Sequence, residues 1–180
     1  MSDSLKINLT ILPEEGLRLT FSEGAEWFKE CFSDDEKPEF SLFKVDVTCM
    51  ITRSGNTIYI RGELAAKISQ ECGRCLEPVT IPIGGDFVYT LVPAKVEVAK
   101  DLELTTQELE KSYYSGDFID LAPMICEQIV LHVPMRVLCN DDCKGLCPHC
   151  GINLNTGSCA CRSEVIDVRL AVLKKIRVKN

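Results

Sequence analysis

Eight of the eleven cysteines in this 180-residue chain fall into four close pairs: Cys72/Cys75, Cys139/Cys143, Cys147/Cys150 and Cys159/Cys161. A thiolate is a soft metal ligand. A structural zinc site takes four such ligands in a tetrahedron, usually two from each of two short turns. Four pairs therefore supply two sites. Cys147, Cys150, Cys159 and Cys161 close a compact local loop and are assigned to one of them. Cys139 and Cys143 then join Cys72 and Cys75, clamping the middle of the chain to its C-terminal part. The spacing leaves a second arrangement open, in which Cys139/Cys143 and Cys147/Cys150 share an ion. The expected cofactor is thus one or two structural Zn2+ ions.

The turn chemistry agrees. Cys72-Gly-Arg-Cys75 joins two predicted strands, and Gly73 is expected to relieve a tight turn. In Cys147-Pro-His-Cys-Gly151, Pro148 presets one dihedral and Gly151 can adopt left-handed geometry after the second ligand. Amides there can donate to the sulfurs. Two four-thiolate zinc sites would each carry formal charge −2, and Arg74, Arg136, Lys144 and Arg162 stand beside ligands to offset it. Other chemistries fit the pattern less well. No βαβ unit surrounds Cys72-Gly-Arg-Cys75, as a redox motif would require. Four thiolates leave no open position for a catalytic metal. His149, between two ligands, is expected to point outward, and His132 to be a satisfied core residue. Cys31, Cys49 and Cys126 follow hydrophobic periodicity and are expected as small core residues, not ligands. No Ser/His or Cys/His arrangement is visible, nor paired carboxylates with a phosphate-binding loop. No catalytic residue is assigned, and the chain is expected not to be an enzyme.

The elements that must position these cysteines read as α+β, with the domains placed at 1–116 and 117–180. The first is a β-rich domain carrying the C-x-x-C hairpin. Leu5, Ile7, Leu9 and Ile11, then Leu17, Leu19 and Phe21, alternate with polar residues as half-buried strands do. A short helix with the single tryptophan, Trp27, is predicted over 25–32, and a polar loop over 33–38. Val45, Val47, Cys49 and Ile51 lead through Gly55-Asn56 into Ile58, Ile60, Leu64, Ala66 and Ile68, a hairpin. Strands are predicted at 79–83 and 87–92. Together they suggest an antiparallel sheet, curled into a partial barrel. Residues 94–116 read as a loop with one helical turn over 105–110. The second domain comprises a helix, the zinc-stapled cysteine loop and a C-terminal helix packed on it. Its first helix starts at Asp120, holds Pro123 in the first turn, is apolar almost all round and therefore enclosed, and ends at Pro134. The last runs over 167–177, with Val165, Val168, Val172, Leu173 and Ile176 forming one face.

Net charge is −7, which argues against a protein that coats polyanions. Residues 162–180 hold six basic and two acidic side chains, so the remainder carries −11. An acidic body with a basic tail suits local contact with nucleic acid or a protein partner. No apolar run approaches the ~20 residues that span a bilayer, and the first residues lack an export signal. The expected compartment is the cytoplasm, with no membrane partner and no small-molecule substrate. There, clustered cysteines are more often metal ligands than disulfides.

One stretch resembles a known family. Cys139-Asn-Asp-Asp-Cys-Lys-Gly-Leu-Cys-Pro-His-Cys-Gly-Ile-Asn-Leu-Asn155, followed by Cys159-Ala-Cys161 and Ile166-Asp-Val-Arg-Leu-Ala-Val-Leu-Lys-Lys-Ile176, is similar to the bacterial YceD family, the large ribosomal RNA subunit accumulation proteins. Cys72-Gly-Arg-Cys75 and the segment from Ile119-Asp-Leu to Leu131-His-Val-Pro134 match in order and spacing. The likeness spans most of the chain, although many relatives carry proline where Val168 stands. The resemblance implies a non-enzymatic ribosome-biogenesis role, supporting the synthesis, processing or stability of 23S ribosomal RNA. The implied partners are large-subunit rRNA or its precursor, or a ribosomal protein. Lys144, Arg162, Arg169, Lys174, Lys175 and Arg177 are then the candidates for phosphate or partner contact. The alternative is an acidic adaptor or chaperone for a ribosomal protein or assembly factor.

Overall fold

The structure is a computed structural model that describes residues 5–33, 37–94 and 111–161. Its centre is a five-stranded sheet in the order β2-β3-β4-β5-β6. The strands are β2 (Leu17–Gly24), β3 (Ser41–Ser54), β4 (Thr57–Glu71), β5 (Pro78–Pro93) and β6 (Lys111–Tyr114). A separate pair joins β1 (Lys6–Asn8) to β7 (Phe118–Asp120). Two helices complete the described residues, α1 (Ala25–Glu30) and α2 (Ala122–Leu131).

The β3–β4 hairpin forms as its alternation predicts. Val45, Val47, Cys49, Ile51, Ile58, Ile60, Leu64, Ala66 and Ile68 are all buried, on one face of the sheet. Gly55 takes φ 60°, which lets Gly55-Asn56 reverse the chain between Ser54 and Thr57. The same buried cluster takes in Trp27 and Phe28 of α1, Ile125, Cys126 and Ile129 of α2, and Ile7 and Ile119 of the small β1–β7 pair. One core therefore runs across position 116/117. Among the described residues no helix is long and apolar enough to cross a membrane.

Several expectations change. The expected antiparallel sheet or partial barrel is an open sheet among the described residues, and it is not wholly antiparallel, because β6 runs parallel to β5. β6 falls where a loop was expected. Four residues show too little periodicity to announce a strand, yet Tyr114 is anchored by its hydroxyl donating to Asn56 O at 2.8 Å. The strands expected at 79–83 and 87–92 are one, β5, because Gly84-Gly85 is a packing site and not a turn. A Cβ at Gly84 would collide with Leu64 O, and one at Gly85 with the His132 ring. The first strand stops at Asn8, whose side chain accepts from Thr10 N at 2.9 Å and turns Leu9–Ile11 into a 3-10 turn.

α1 is shorter than predicted and ends at Glu30. α2 begins later than predicted: Leu121, not Asp120, is its N-cap, and Asp120 ends β7 while its Oδ1 accepts from Ala122 N at 3.0 Å. The helix is not enclosed: Ile125, Cys126 and Ile129 are buried, whereas Val130 and Leu131 are exposed, because only one face packs on the sheet. Tyr89 of β5 fastens that face, its hydroxyl lying 2.7 Å from Glu127 Oε2 and accepting from Gln128 Nε2 at 2.8 Å. Cys31 and Cys126, expected as separate core thiols, are joined in a disulfide across α1 and α2, with Cα atoms 6.5 Å apart. The predicted turn at 105–110 and the helix at 167–177 lie outside the described residues.

Candidate metal centres

The topology brings the eight paired cysteines into two groups. The inner tetrad is Cys72, Cys75, Cys139 and Cys143, and the outer tetrad is Cys147, Cys150, Cys159 and Cys161. Within each, all four sulfurs lie within 4.8 Å of one another. The sharing of one ion by Cys139/Cys143 and Cys147/Cys150 is thus not the arrangement adopted. His149 is exposed and belongs to neither group.

The inner tetrad is built from distant parts of the chain. Cys72 and Cys75 occupy the turn between β4 and β5, and Cys139 and Cys143 lie beyond α2. Gly73 N donates to Val137 O and Leu146 N to Arg74 O, which dock the two segments together. Arg74 Nη1 donates to Asp141 O and Cys143 O, both at 2.9 Å, so its guanidinium holds the partner loop by its carbonyls. Val79, Leu138 and Leu146 pack around the sulfurs. Cys72, Cys75 and Cys143 are buried.

The two knuckles share a backbone device. Gly151, after the second cysteine of its pair, takes φ 73°, as predicted. In the other knuckle the positive φ falls not on Gly73 but on Leu76, at 61°, in the equivalent place after Cys75. Leu76 N donates to Cys72 O at 2.9 Å, as Gly151 N does to Cys147 O. The turn demands that conformation whatever residue is there.

Sulfur spacing and electrostatics both suit a cation. Four sulfurs at about 2.3 Å from a tetrahedral ion stand about 3.8 Å apart. The pairs Cys72–Cys143 and Cys75–Cys139 stand 3.9 and 3.6 Å apart. The Cys72 thiol is held down at about 6, chiefly by the Arg74 backbone N–H and also by that of Cys139. Its partner Cys139 is pushed up to about 12 by its contacts with Cys143 and Cys75. The outer tetrad repeats the split. Cys147 is held at about 6 by the backbone N–H groups of Cys150 and His149, and Cys161 is pushed to about 12 by Cys150 and Cys159. Cys72 and Cys143 in the inner site and Cys147 in the outer one are readier to ionise, and Cys75, Cys139, Cys159 and Cys161 then resist, a conflict that a cation at the centre would remove. Both tetrads could hold a metal ion, and the all-sulfur, tetrahedral donor set fits zinc.

The tetrads differ in exposure. In the outer one only Cys147 is buried, and Cys150, Cys159 and Cys161 are exposed. Asn155, not singled out in the sequence, donates Nδ2–H to Cys143 Sγ at 3.2 Å and is the main cause of that thiol's lowered pKa. Among the expected contact residues, Lys144 is exposed beside Cys143. Arg162, Arg169, Lys174, Lys175 and Arg177 lie outside the described residues.

No solved structure matches the chain. An uncharacterized protein of Mycobacterium tuberculosis is 33% identical over 129 residues, covering 72% of this chain and 60% of the relative. The chloroplastic large ribosomal RNA subunit accumulation protein YCED homolog 1 of Zea mays is 30% identical over 140 residues, covering 64% and 48%. The uncharacterized protein YlbN of Bacillus subtilis is 27% identical over 107 residues, covering 52% and 62%. The chain thus spans about half to three fifths of the length of these relatives. The family model described as large ribosomal RNA subunit accumulation protein YceD matches residues 60–177, a span that holds all eight paired cysteines and more than half of the chain. The chain belongs to the YceD family.

Proposed function

We propose that the protein is a non-enzymatic, zinc-stapled factor that supports accumulation of large-subunit ribosomal RNA, acting in the cytoplasm. Its family membership supports the biological role. The observation that carries the physical reading is the inner tetrad, where sulfurs from a hairpin tip meet sulfurs 64 to 71 residues away. An ion bound there supplies a rigid cross-link and, with four thiolates around it, no reacting position. The chain's own part is to hold the Cys72–Cys75 tip against the loop beyond α2, so that Lys144 is presented on a fixed surface. With Arg162, Arg169, Lys174, Lys175 and Arg177, it forms the proposed contact set for 23S ribosomal RNA or its precursor.

Elemental analysis tests the metal reading: two zinc ions per chain are expected, and iron with sulfide would replace zinc by an iron–sulfur cluster. Unreduced, denatured and chelated protein should show nine thiols, because Cys31 and Cys126 are paired. For the biological role, cells lacking the protein should accumulate less large-subunit rRNA relative to small-subunit rRNA. Wild type should restore the balance and Cys139→Ser/Cys143→Ser should not. Unchanged rRNA in the deletion would refute the role. RNA binding through phosphates should weaken steeply as salt rises. The net −11 outside the tail favours a second reading, an adaptor for a basic ribosomal protein. An adaptor keeps its partner after nuclease treatment, and an RNA binder loses it.

A further inference from the structure

The loop that closes the outer tetrad lies across the inner one. Asn155 stands between Cys150 and Cys159, yet its side chain serves the other site. Nδ2 donates to Cys143 Sγ at 3.2 Å, and Oδ1 accepts from Lys144 N at 2.8 Å. The orientation of this amide is determined by its surroundings. A backbone N–H can only donate, so the atom facing Lys144 is the oxygen and the atom facing sulfur is the NH2 group. Neighbours hold the loop in place. Leu154 N donates to Gly145 O at 2.9 Å, Asn155 N to Asn153 Oδ1 at 3.0 Å, and Asn153 Nδ2 to Glu77 Oε1 at 3.3 Å. Leu146 and Asn153 form an isolated bridge.

We propose that filling the outer tetrad raises the metal affinity of the inner tetrad, with Asn155 as the positioning residue that couples them. The inference rests on both tetrads binding metal. A hydrogen bond to a ligand sulfur is worth about 10- to 100-fold in metal affinity. That bond forms only when the loop is ordered. An ion held by Cys147, Cys150, Cys159 and Cys161 closes the loop in advance, so the inner site need not bear the ordering entropy. The coupling is reciprocal: an inner ion tightens the outer site by the same factor. Because three outer cysteines are exposed and three inner ones buried, the outer ion is the first to exchange with the surroundings. Its loss then loosens the clamp between the β4–β5 tip and the C-terminal part.

The test is zinc titration of the full-length chain against a competing chelator. Cys159→Ser/Cys161→Ser should leave one bound ion with affinity lowered about 10- to 100-fold. Asn155→Ala should weaken the inner site by a similar factor. Combining the two changes should add little, because both remove the same bond. Asn155→Asp separates coupling from local structure. It keeps the acceptor for Lys144 N but presents an anion to the thiolate, so it should weaken the inner site at least as much as Ala. Wild-type affinity in Asn155→Asp, fully additive losses, or an inner site indifferent to Cys159→Ser/Cys161→Ser would each overturn the coupling. Two ions bound independently would defeat this inference alone, whereas no bound metal would defeat the zinc reading itself.

Discussion

The open sheet and the cysteine-rich segment differ in what fills their interiors. Behind the sheet lie Ile51, Ile58, Ile60, Ile68, Ile125 and Ile129, each almost wholly withdrawn from water. Such burial is worth about 1.5–3 kcal/mol per side chain. Residues 134–161 contain no helix and no strand beyond the bridge between Leu146 and Asn153. Their interior is sulfur, flanked by the half-buried Val79, Leu138 and Leu146. One region is held by area removed from water, and the other, on the proposed reading, by bonds to ions its cysteines could hold. The inner tetrad is where the two meet, because half of its ligands come from the hairpin tip of the sheet.

The contrast can be broken most directly by removing metal. A structural zinc site contributes on the order of 10 kcal/mol to folding. Chelation should release residues 134–161 and the Cys72–Cys75 tip to rapid amide hydrogen exchange, while β3 and β4 stay protected. Loss of protection in both regions together would show that the sheet does not stand alone.

Acid should reach the same end by protonating the ligands. Below about pH 6, where Cys72 and Cys147 also take up protons, each ion must displace four. Affinity should then fall by roughly four decades per pH unit as pH decreases, about 5–6 kcal/mol. Above that range fewer protons are displaced, and the slope becomes shallower. Chelator competition across pH would measure it, and a flat profile would contradict thiolate ligation.

The disulfide sharpens the comparison from the other side. It closes a loop of 95 residues within the apolar region, where chain-entropy arguments give about 4–5 kcal/mol. Cys31→Ala/Cys126→Ala should lower the denaturation midpoint of the sheet and leave the number of bound ions unchanged. The smallest effect is at Leu76. Its left-handed backbone costs about 1–2 kcal/mol, and its side chain is 56% exposed. Leu76→Gly should stabilise the inner knuckle by about 0.5–1 kcal/mol after the entropy that glycine adds to the unfolded chain. Thermal melting of the metal-loaded protein would detect it.

Local signals were legible where one residue's neighbours in sequence are its neighbours in space. The β3–β4 hairpin is one case, since alternation and Gly55-Asn56 both act within a few residues. The outer tetrad is another, closed by a short loop. β5 reads as two strands because Gly84-Gly85 interrupts the alternation, and only another strand and a histidine occupying the missing side chains' space explain why the glycines stand mid-strand. α2 misled because composition reports how apolar a helix is, not how many of its faces find a partner.

By itself, the order of residues determined that eight cysteines would stand in four close pairs with ligand-like spacing and that a half-buried sheet would precede most of them. Both follow from short spacings that any fold must respect. Only the tertiary structure decided that Cys31 would meet Cys126, that Leu76 would bear the positive φ, and that Asn155 would reach Cys143. Those contacts depend on which segments come to lie side by side, and that is settled by burial and hydrogen bonding summed over the whole chain.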